Sequence, residues 1–238
     1  MGSKYHAVYE GWKNDPQQFW SEAGAAIDWF KPADKVFDPD QGAYGRWYVG
    51  ATTNTCHNCL DRHVDGGRAE QAALIYDSPI TGKKKSYSYA ELLDEVKAMA
   101  AVLADNGLQK GDRAIIYMPM VPEAVMAMLA CARLGAVHSV VFGGFAANEL
   151  ATRIDDCQAK LIVSASCGIE PTRVVAYKPL LDKAIELAKY KPAHCIILQR
   201  EKLAADLVPG RDVTWDEAVA GADPADCVPV AATDPLYI

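Results

Sequence analysis

The sequence predicts an α/β domain: a mostly parallel sheet with helices covering both faces. Three observations carry this. From Ala72 onward, short apolar runs alternate with segments of helical periodicity. The runs are continuous in apolar character, the mark of strands covered on both sides. Helix starters and Gly stops punctuate the segments between them.

The first of these elements is a hairpin. Ala72–Tyr76 and Lys85–Tyr87 flank the turn-rich stretch Asp77–Gly82. Ser88 and Glu91 then form a capping-box pair. Leu92, Leu93, Val96, Met99, Ala100 and Leu103 follow at helical spacing, and Asn106-Gly107 ends the helix. Ala114–Met118 is a strand. Pro122 opens a helix that runs to about Leu134 and stops at Gly135. Ser139–Phe142 is a strand, with Gly143-Gly144 as its turn. Helix 147–156, strand 160–165, helix 179–190 and strand 195–198 complete the pattern. A short helix is expected near Trp215, with Thr214 and Glu217 as its cap pair. Leu236–Ile238 reads as the start of a further strand, as though the chain were cut there.

Before residue 70 the chain is different. Trp12, Phe19, Trp20, Trp29, Phe30, Phe37, Trp47 and Tyr48 are interrupted by Pro16, Pro32, Pro39 and several Gly. Large aromatics among so many breakers suggest a segment that lies over another surface. A helix is expected from Pro16, capped by Asp15 with Pro at its first position. Another short helix is expected within 54–64. The organisation is thus a segment 1–70 and an α/β region 71–238.

Composition narrows the function. The chain has 238 residues, half of them hydrophobic and 23% charged, with a net charge of −7. That excludes disordered, collagen-like and coiled-coil classes. It also speaks against nucleic acid as partner, since such modules are usually basic. No apolar stretch approaches the ~20 residues needed to span a bilayer. Met1–Asp15 lacks the apolar core of a secretory signal. Seven cysteines with no evident framework read as reduced thiols, which places the protein in the cytoplasm.

Several constellations could carry chemistry. Cys56-His-Asn-Cys59 has zinc or redox spacing, but no second Cys-x-x-Cys accompanies it; packing thiols on a helix is the competing reading. Thr81–Lys85 is basic, yet lacks the first Gly and the Ser or Thr of a phosphate loop, so a solvated hairpin turn is expected. Phe142-Gly-Gly-Phe145 lies between a strand and a helix, where bare backbone can approach a phosphate or let a thin ligand pass. Arg173 follows a strand end, the side of a parallel sheet where ligands bind, and could clamp a phosphate or make a surface ion pair. His63, His138 and His194 have no evident acid partner. The residues alone describe an α/β domain with an anionic-ligand crevice.

The longer strings carry a resemblance. Arg46-Trp-Tyr and Asn58-Cys-Leu-Asp-Arg-His63 resemble the N-terminal cap of acetyl-CoA and propionyl-CoA synthetases. Tyr87–Leu92, Gly111-Asp-Arg113, Tyr117–Ala124, Ala130–His138 and Val141–Phe145 resemble the opening of the adenylate-forming large domain of that family. Cys167–Leu180 is closer to the propionate-type enzymes. Acetate-type enzymes tend to carry a second Arg where this chain has Glu170.

The resemblance implies an AMP-forming acid–thiol ligase. It would convert propionate, ATP and CoA to propionyl-CoA, AMP and pyrophosphate through an acyl-adenylate, with Mg²⁺ accompanying ATP. Phe142, Gly143, Gly144 and Arg173 would line the CoA site, Arg173 pairing with the nucleotide 3′-phosphate. The phosphate loop, acyl pocket, adenine site and adenylation Lys of the family would all follow Ile238. The chain by itself is therefore expected to hold no catalytic residue, no metal and no tightly bound cofactor, and to be inactive. The alternatives are an acetate-type enzyme, or a non-catalytic module that binds CoA.

Overall fold

The computed structural model describes residues 3–144 and 146–238; Phe145, at the end of the glycine turn, lies outside them. The chain divides into two compact units, residues 1–54 with 229–234, and residues 55–228 with 235–238.

The first unit opens with a helix that the sequence did not announce, α1 (Tyr5–Asn14). Its aromatics recur at helical spacing, and Tyr5 stacks on Tyr9 at 5.9 Å. Helix α2 (Pro16–Gly24) starts as expected, with the Asp15 carboxylate accepting from the Gln18 amide at 2.9 Å. The loop beyond contains an unexpected antiparallel pair, β1 (Lys35–Asp38) and β2 (Arg46–Val49). At four residues each, these strands are too short for alternation to show. Cross-strand contact between Phe37 and Trp47, at 4.5 Å, accounts for their pairing. β3 (Thr52–Thr53) pairs antiparallel with Val230–Ala231, which brings the chain back to this unit.

In the second unit, the helix expected within 54–64 runs further and winds wider. His57–Asp61 is π-helical and Val64–Arg68 follows in the same form with a kink at Gly67 (φ +82°), a shape that a 3.6-residue pattern does not reveal. β4 (Ala72–Ser78) and β5 (Lys83–Ser88) form the expected hairpin. Helix α3 (Tyr89–Asp105) begins at the expected box: the Ser88 amide donates to Glu91 Oε2 at 2.8 Å and the Glu91 amide to Ser88 Oγ at 3.2 Å.

The remaining elements are β6 (Arg113–Met118), α4 (Pro122–Arg133), β7 (Val137–Phe142), α5 (Ala147–Cys157) and β8 (Leu161–Ala165). They continue as β9 (Cys167–Ile169), β10 (Val174–Ala176), α6 (Tyr177–Leu187), β11 (His194–Leu198), β12 (Asp212–Thr214) and α7 (Trp215–Val219). Three differ from expectation. β9 and β10 form a small antiparallel hairpin between β8 and α6, so α6 starts at Tyr177. β12 adds a fifth strand to the sheet.

That sheet has the order β12-β11-β8-β6-β7 and is parallel throughout. The apolar runs supply both of its faces. Ile116, Met118, Leu161, Val163 and Ile196 join α3, α4 and α7 through Val96, Met99, Leu103, Met126 and Trp215. Their neighbours Ile115, Tyr117, Ile162, Cys195 and Ile197 point the other way, to Leu150 and Ile154 of α5 and Leu181 and Ile185 of α6. Period-two alternation thus sorts one continuous apolar run into two cores.

β12 is held at its edge by charge as well as by backbone. Lys178 of α6 is 3.0 Å from Asp212 and 2.6 Å from Asp182, and Arg211 bonds both carboxylates. The Asp212 side chain is fully buried. Burial alone would raise its pKa. The Arg211 and Lys178 bonds, with the Val208 amide, outweigh burial and hold the carboxyl below the ordinary range.

Candidate functional site

The strand order places a crevice. Chain order along the sheet is 2-1-3-4-5, so connections leave the adjacent strands β6 and β8 toward opposite faces. Ligands of open parallel sheets bind outside the carboxyl ends of strands at such a point. A cleft of about 710 Å³ opens at this edge, between Val121–Glu123 after β6, Ile169 of β9 and Leu198–Lys202 at the end of β11. Its far wall is the β4–β5 hairpin.

The cleft is electropositive. Lys83, Lys84, Lys85, Arg200 and Lys202 line it, against Glu123 and Glu201. Lys83 pairs with Glu201 at 2.7 Å, and Lys85 lies over the Tyr87 ring at 4.1 Å. Of the basic stretch Thr81–Lys85, Thr81 and Gly82 lie in the expected turn, whereas Lys83–Lys85 already belong to β5. Its approach to Arg200 and Lys202 was not legible, because those cations arrive from a strand more than a hundred residues later.

Of the predicted residues, Gly143 packs directly on an aromatic ring, that of Tyr177. Phe142 ends β7 with 72% of its surface exposed. Gly143 follows, and a Cβ there would run into the Tyr177 hydroxyl. A Cβ on Gly168 of β9 would meet the same ring from another side. Tyr177, at the start of α6, therefore packs between two glycines. Gly144 adopts φ +117°, which a side chain would strain. Tyr117 of β6 stacks on Tyr177 with 5.1 Å between ring centroids. Burial pushes the Tyr177 hydroxyl up to about 12, with the neighbouring Tyr117 adding to the shift. Neither tyrosine stood out in the sequence, because Gly143 and Gly168 both precede Tyr177 and come to its two sides only in the fold.

Arg173 sits in the β9–β10 turn. Its side chain is exposed, and its Nε donates to Glu170 Oε2 at 2.7 Å. That bond holds the Glu170 carboxyl below its ordinary range and raises the guanidinium. The hairpin bearing Arg173 and the Phe142–Gly144 turn thus meet on Tyr177. The cleft cation Arg200 also bears electrostatically on that ring.

The other candidates resolve differently. Cys56 is buried and Cys59 exposed. Cys56 meets Asp61 and Cys227, with sulfur and carboxylate oxygens within 4.8 Å of one another. His63 Nδ1 lies 3.1 Å from Arg68, and His138 stacks on Tyr237 at 6.0 Å. Among the described residues no helix is long and apolar enough to cross a membrane.

Residues 60–238 match the family described as AMP-binding enzyme, and residues 5–59 that described as acetyl-coenzyme A synthetase N-terminus. Over 238 residues the chain is 45% identical to acyl-CoA synthetase short-chain family member 3, mitochondrial, of Homo sapiens. That alignment covers all of this chain and 35% of the human protein. It is 43% identical to the propionate–CoA ligase of Salmonella typhimurium, over 89% of this chain and 33% of that protein. The fold matches the acetoacetyl-CoA synthetase of Streptomyces lividans with a TM-score of 0.86, at 22% identity, covering 99% of this chain and 36% of that one. The chain spans about a third of the length of the relatives it matches. Its matched segments show that the chain belongs to the AMP-binding enzyme family, with an N-terminal stretch of the acetyl-coenzyme A synthetase type.

Proposed function

We propose that this chain is the N-terminal part of a cytoplasmic, AMP-forming short-chain acyl-CoA synthetase of the propionate type. The complete enzyme would activate propionate with ATP, taken as its Mg²⁺ complex. The carboxylate attacks the α-phosphorus, pyrophosphate leaves, and the acyl-adenylate forms. The CoA thiol then displaces AMP to give propionyl-CoA. Residues 1–70 serve as the cap, and 71–238 as the first part of the adenylate-forming domain.

In this reading the chain contributes to the CoA site. The observation that carries it is the packing of Gly143 and Gly168 against Tyr177, beside the solvent-facing Arg173. Those two glycines let the Tyr177 ring close in, and Gly144, where an added Cβ would meet nothing within 4 Å, leaves bare backbone open to a slender pantetheine arm. Phe142 offers an exposed apolar face next to them. Arg173 supplies a planar, permanently charged fork suited to a phosphate. Glu170 competes for that fork. It favours the propionate-type reading over the acetate-type one, in which a cation tends to stand at this place.

The test uses the full-length enzyme. Arg173→Ala should raise the KM for CoA roughly 10- to 100-fold, the equivalent of losing one charged hydrogen bond. ATP–pyrophosphate exchange, which needs no CoA, should stay unchanged. Glu170→Gln should lower the KM for CoA by freeing the guanidinium. An unchanged KM in Arg173→Ala would remove that residue from the site. Higher kcat/KM for acetate than for propionate would favour the acetate-type reading.

A further inference from the structure

Cys56 and Cys227 stand near opposite ends of the second unit in sequence but share one pocket. Cys56 lies just before the π-helical stretch His57–Asp61, and Cys227 follows α7 in an irregular strap. Asp61 and Arg133 complete the cluster. Arg133 is 1% exposed; its Nη1 is 2.9 Å from Asp61 Oδ2 and 3.6 Å from Cys56 Sγ. Cys227 Sγ is 3.8 Å from Asp61 Oδ2. The strap is pinned on either side of Cys227. The Val228 amide donates to the Arg133 carbonyl at 2.8 Å, and Arg133 Nε donates to the Ala225 carbonyl at 2.6 Å.

Two uses of such a cluster compete, a metal site and a disulfide. The metal reading fails on charge. Both Asp61 oxygens already accept from the Arg133 guanidinium, and a divalent cation would sit against that fixed positive group. The same guanidinium favours a thiolate. The Cys56 thiol is drawn down first by its hydrogen bond with Cys227 and then, against burial, by Arg133. Cys227 is pushed the other way by the same bond and by burial. Cys131 and Cys195 are buried and pushed up to about 12, and so are unreactive.

We propose that Cys56 and Cys227 form a reversible disulfide on exposure to a peroxide. Cys56 supplies the nucleophile, and the half-exposed Cys227 marks the side from which a small oxidant enters. The Cys56 thiolate attacks a peroxide oxygen. The O–O bond breaks, Cys56 becomes a sulfenic acid, and the departing hydroxide takes a proton to leave as water. Cys227, losing its proton, attacks the sulfenic sulfur. The S–S bond forms, the S–O bond breaks, and a second water leaves. Two thiols are oxidised by two electrons and one hydrogen peroxide is reduced to two waters. A thiol reductant reverses the bond by exchange.

The test treats the reduced full-length protein with hydrogen peroxide under native conditions and digests it with trypsin without reduction. Cys56 and Cys59 share the peptide Trp47–Arg62, and Cys227 falls in the peptide that begins at Asp212. The expected product is these two peptides joined, at their summed mass less two hydrogens, and lost on treatment with dithiothreitol. It should persist in Cys59→Ser and vanish in Cys56→Ser and in Cys227→Ser. In Cys227→Ser a sulfenic acid should accumulate at Cys56 and be trapped by dimedone. Because Cys227 is half-exposed, that variant reads out even if Cys56→Ser fails to fold. Absence of the joined peptide from the native protein would overturn the proposal. So would its persistence in Cys56→Ser, or stoichiometric zinc that must be stripped before the thiols react.

Discussion

Replacing Arg133 with Met is expected to lower the unfolding free energy by about 3–5 kcal/mol, the usual cost of stranding one member of a buried ion pair. The guanidinium is almost wholly enclosed and makes bonds to Asp61, Cys56 and the Ala225 carbonyl. Its removal leaves the Asp61 carboxylate, 16% exposed, without its cation. Asp61→Asn should cost a similar amount, because the guanidinium then loses its counter-charge. Combining the two substitutions should recover much of either loss, since neither charge is then stranded and the pair itself repays its own desolvation poorly. Denaturant unfolding of the four proteins completes the cycle. Additive losses in the double variant would show that the two groups do not act as a pair.

The same pair sets an acid limb. Burial alone would raise the Asp61 carboxyl, but the Arg133 bond and charge prevail and hold it below its ordinary value of 3.8. A carboxyl depressed in the folded state adds stability that is complete above its unfolded pKa and is lost as pH falls through the folded one. Stability of the native protein should therefore decline below about pH 4. Asp61→Asn should flatten that decline. An unchanged slope in this variant would assign the acid limb to other carboxylates, Asp212 first among them.

The second large effect is expected at Tyr177. Tyr177→Ala removes a ring that is 5% exposed and packs between Gly143, Gly168 and Tyr117. Truncation of a buried aromatic costs about 3–5 kcal/mol. Its functional consequence should be selective. The KM for CoA of the full-length enzyme should rise, while ATP–pyrophosphate exchange at permissive temperature holds. Gly143→Ala should reproduce the CoA defect from the opposite side. Tyr177→Phe should not rescue Gly143→Ala, because ring carbons, and not the hydroxyl alone, lie within 2.5–2.6 Å of the added Cβ. Rescue by Tyr177→Phe would mean that the hydroxyl alone shapes the turn. Equal loss of exchange and thioester formation would mean that Tyr177 supports the whole domain and not the turn.

Much of the fold was legible because its determinants are local. Ser88 and Glu91 cap α3 within one turn of chain, and Asp15 does the same for α2 with Pro16 behind it. Ile115 and Ile116 are adjacent, so the alternation that sends them to opposite cores is written in neighbouring residues. The glycine turn after β7 and the loop bearing Arg173 could be found because Gly and Arg act there through backbone freedom and charge.

What stayed hidden depends on partners far along the chain. α1 lies in a polar, aromatic stretch, and none of its residues is buried. Three residues of β12 carry too little periodicity to mark a strand; β11, Lys178 and Arg211 hold them in place. The lysines that open β5 become the wall of a cleft only because Arg200 and Lys202 come to the same edge. Cys56 pointed toward Cys59 by spacing, yet it meets Cys227. The sequence by itself determined the α/β class, the order of the elements from β4 to β8 and the residues of the glycine turn, since spacing and propensity act within a few residues. Tertiary structure alone decided which charges and thiols became neighbours, because burial and electrostatics depend on distance in space and not on separation along the chain.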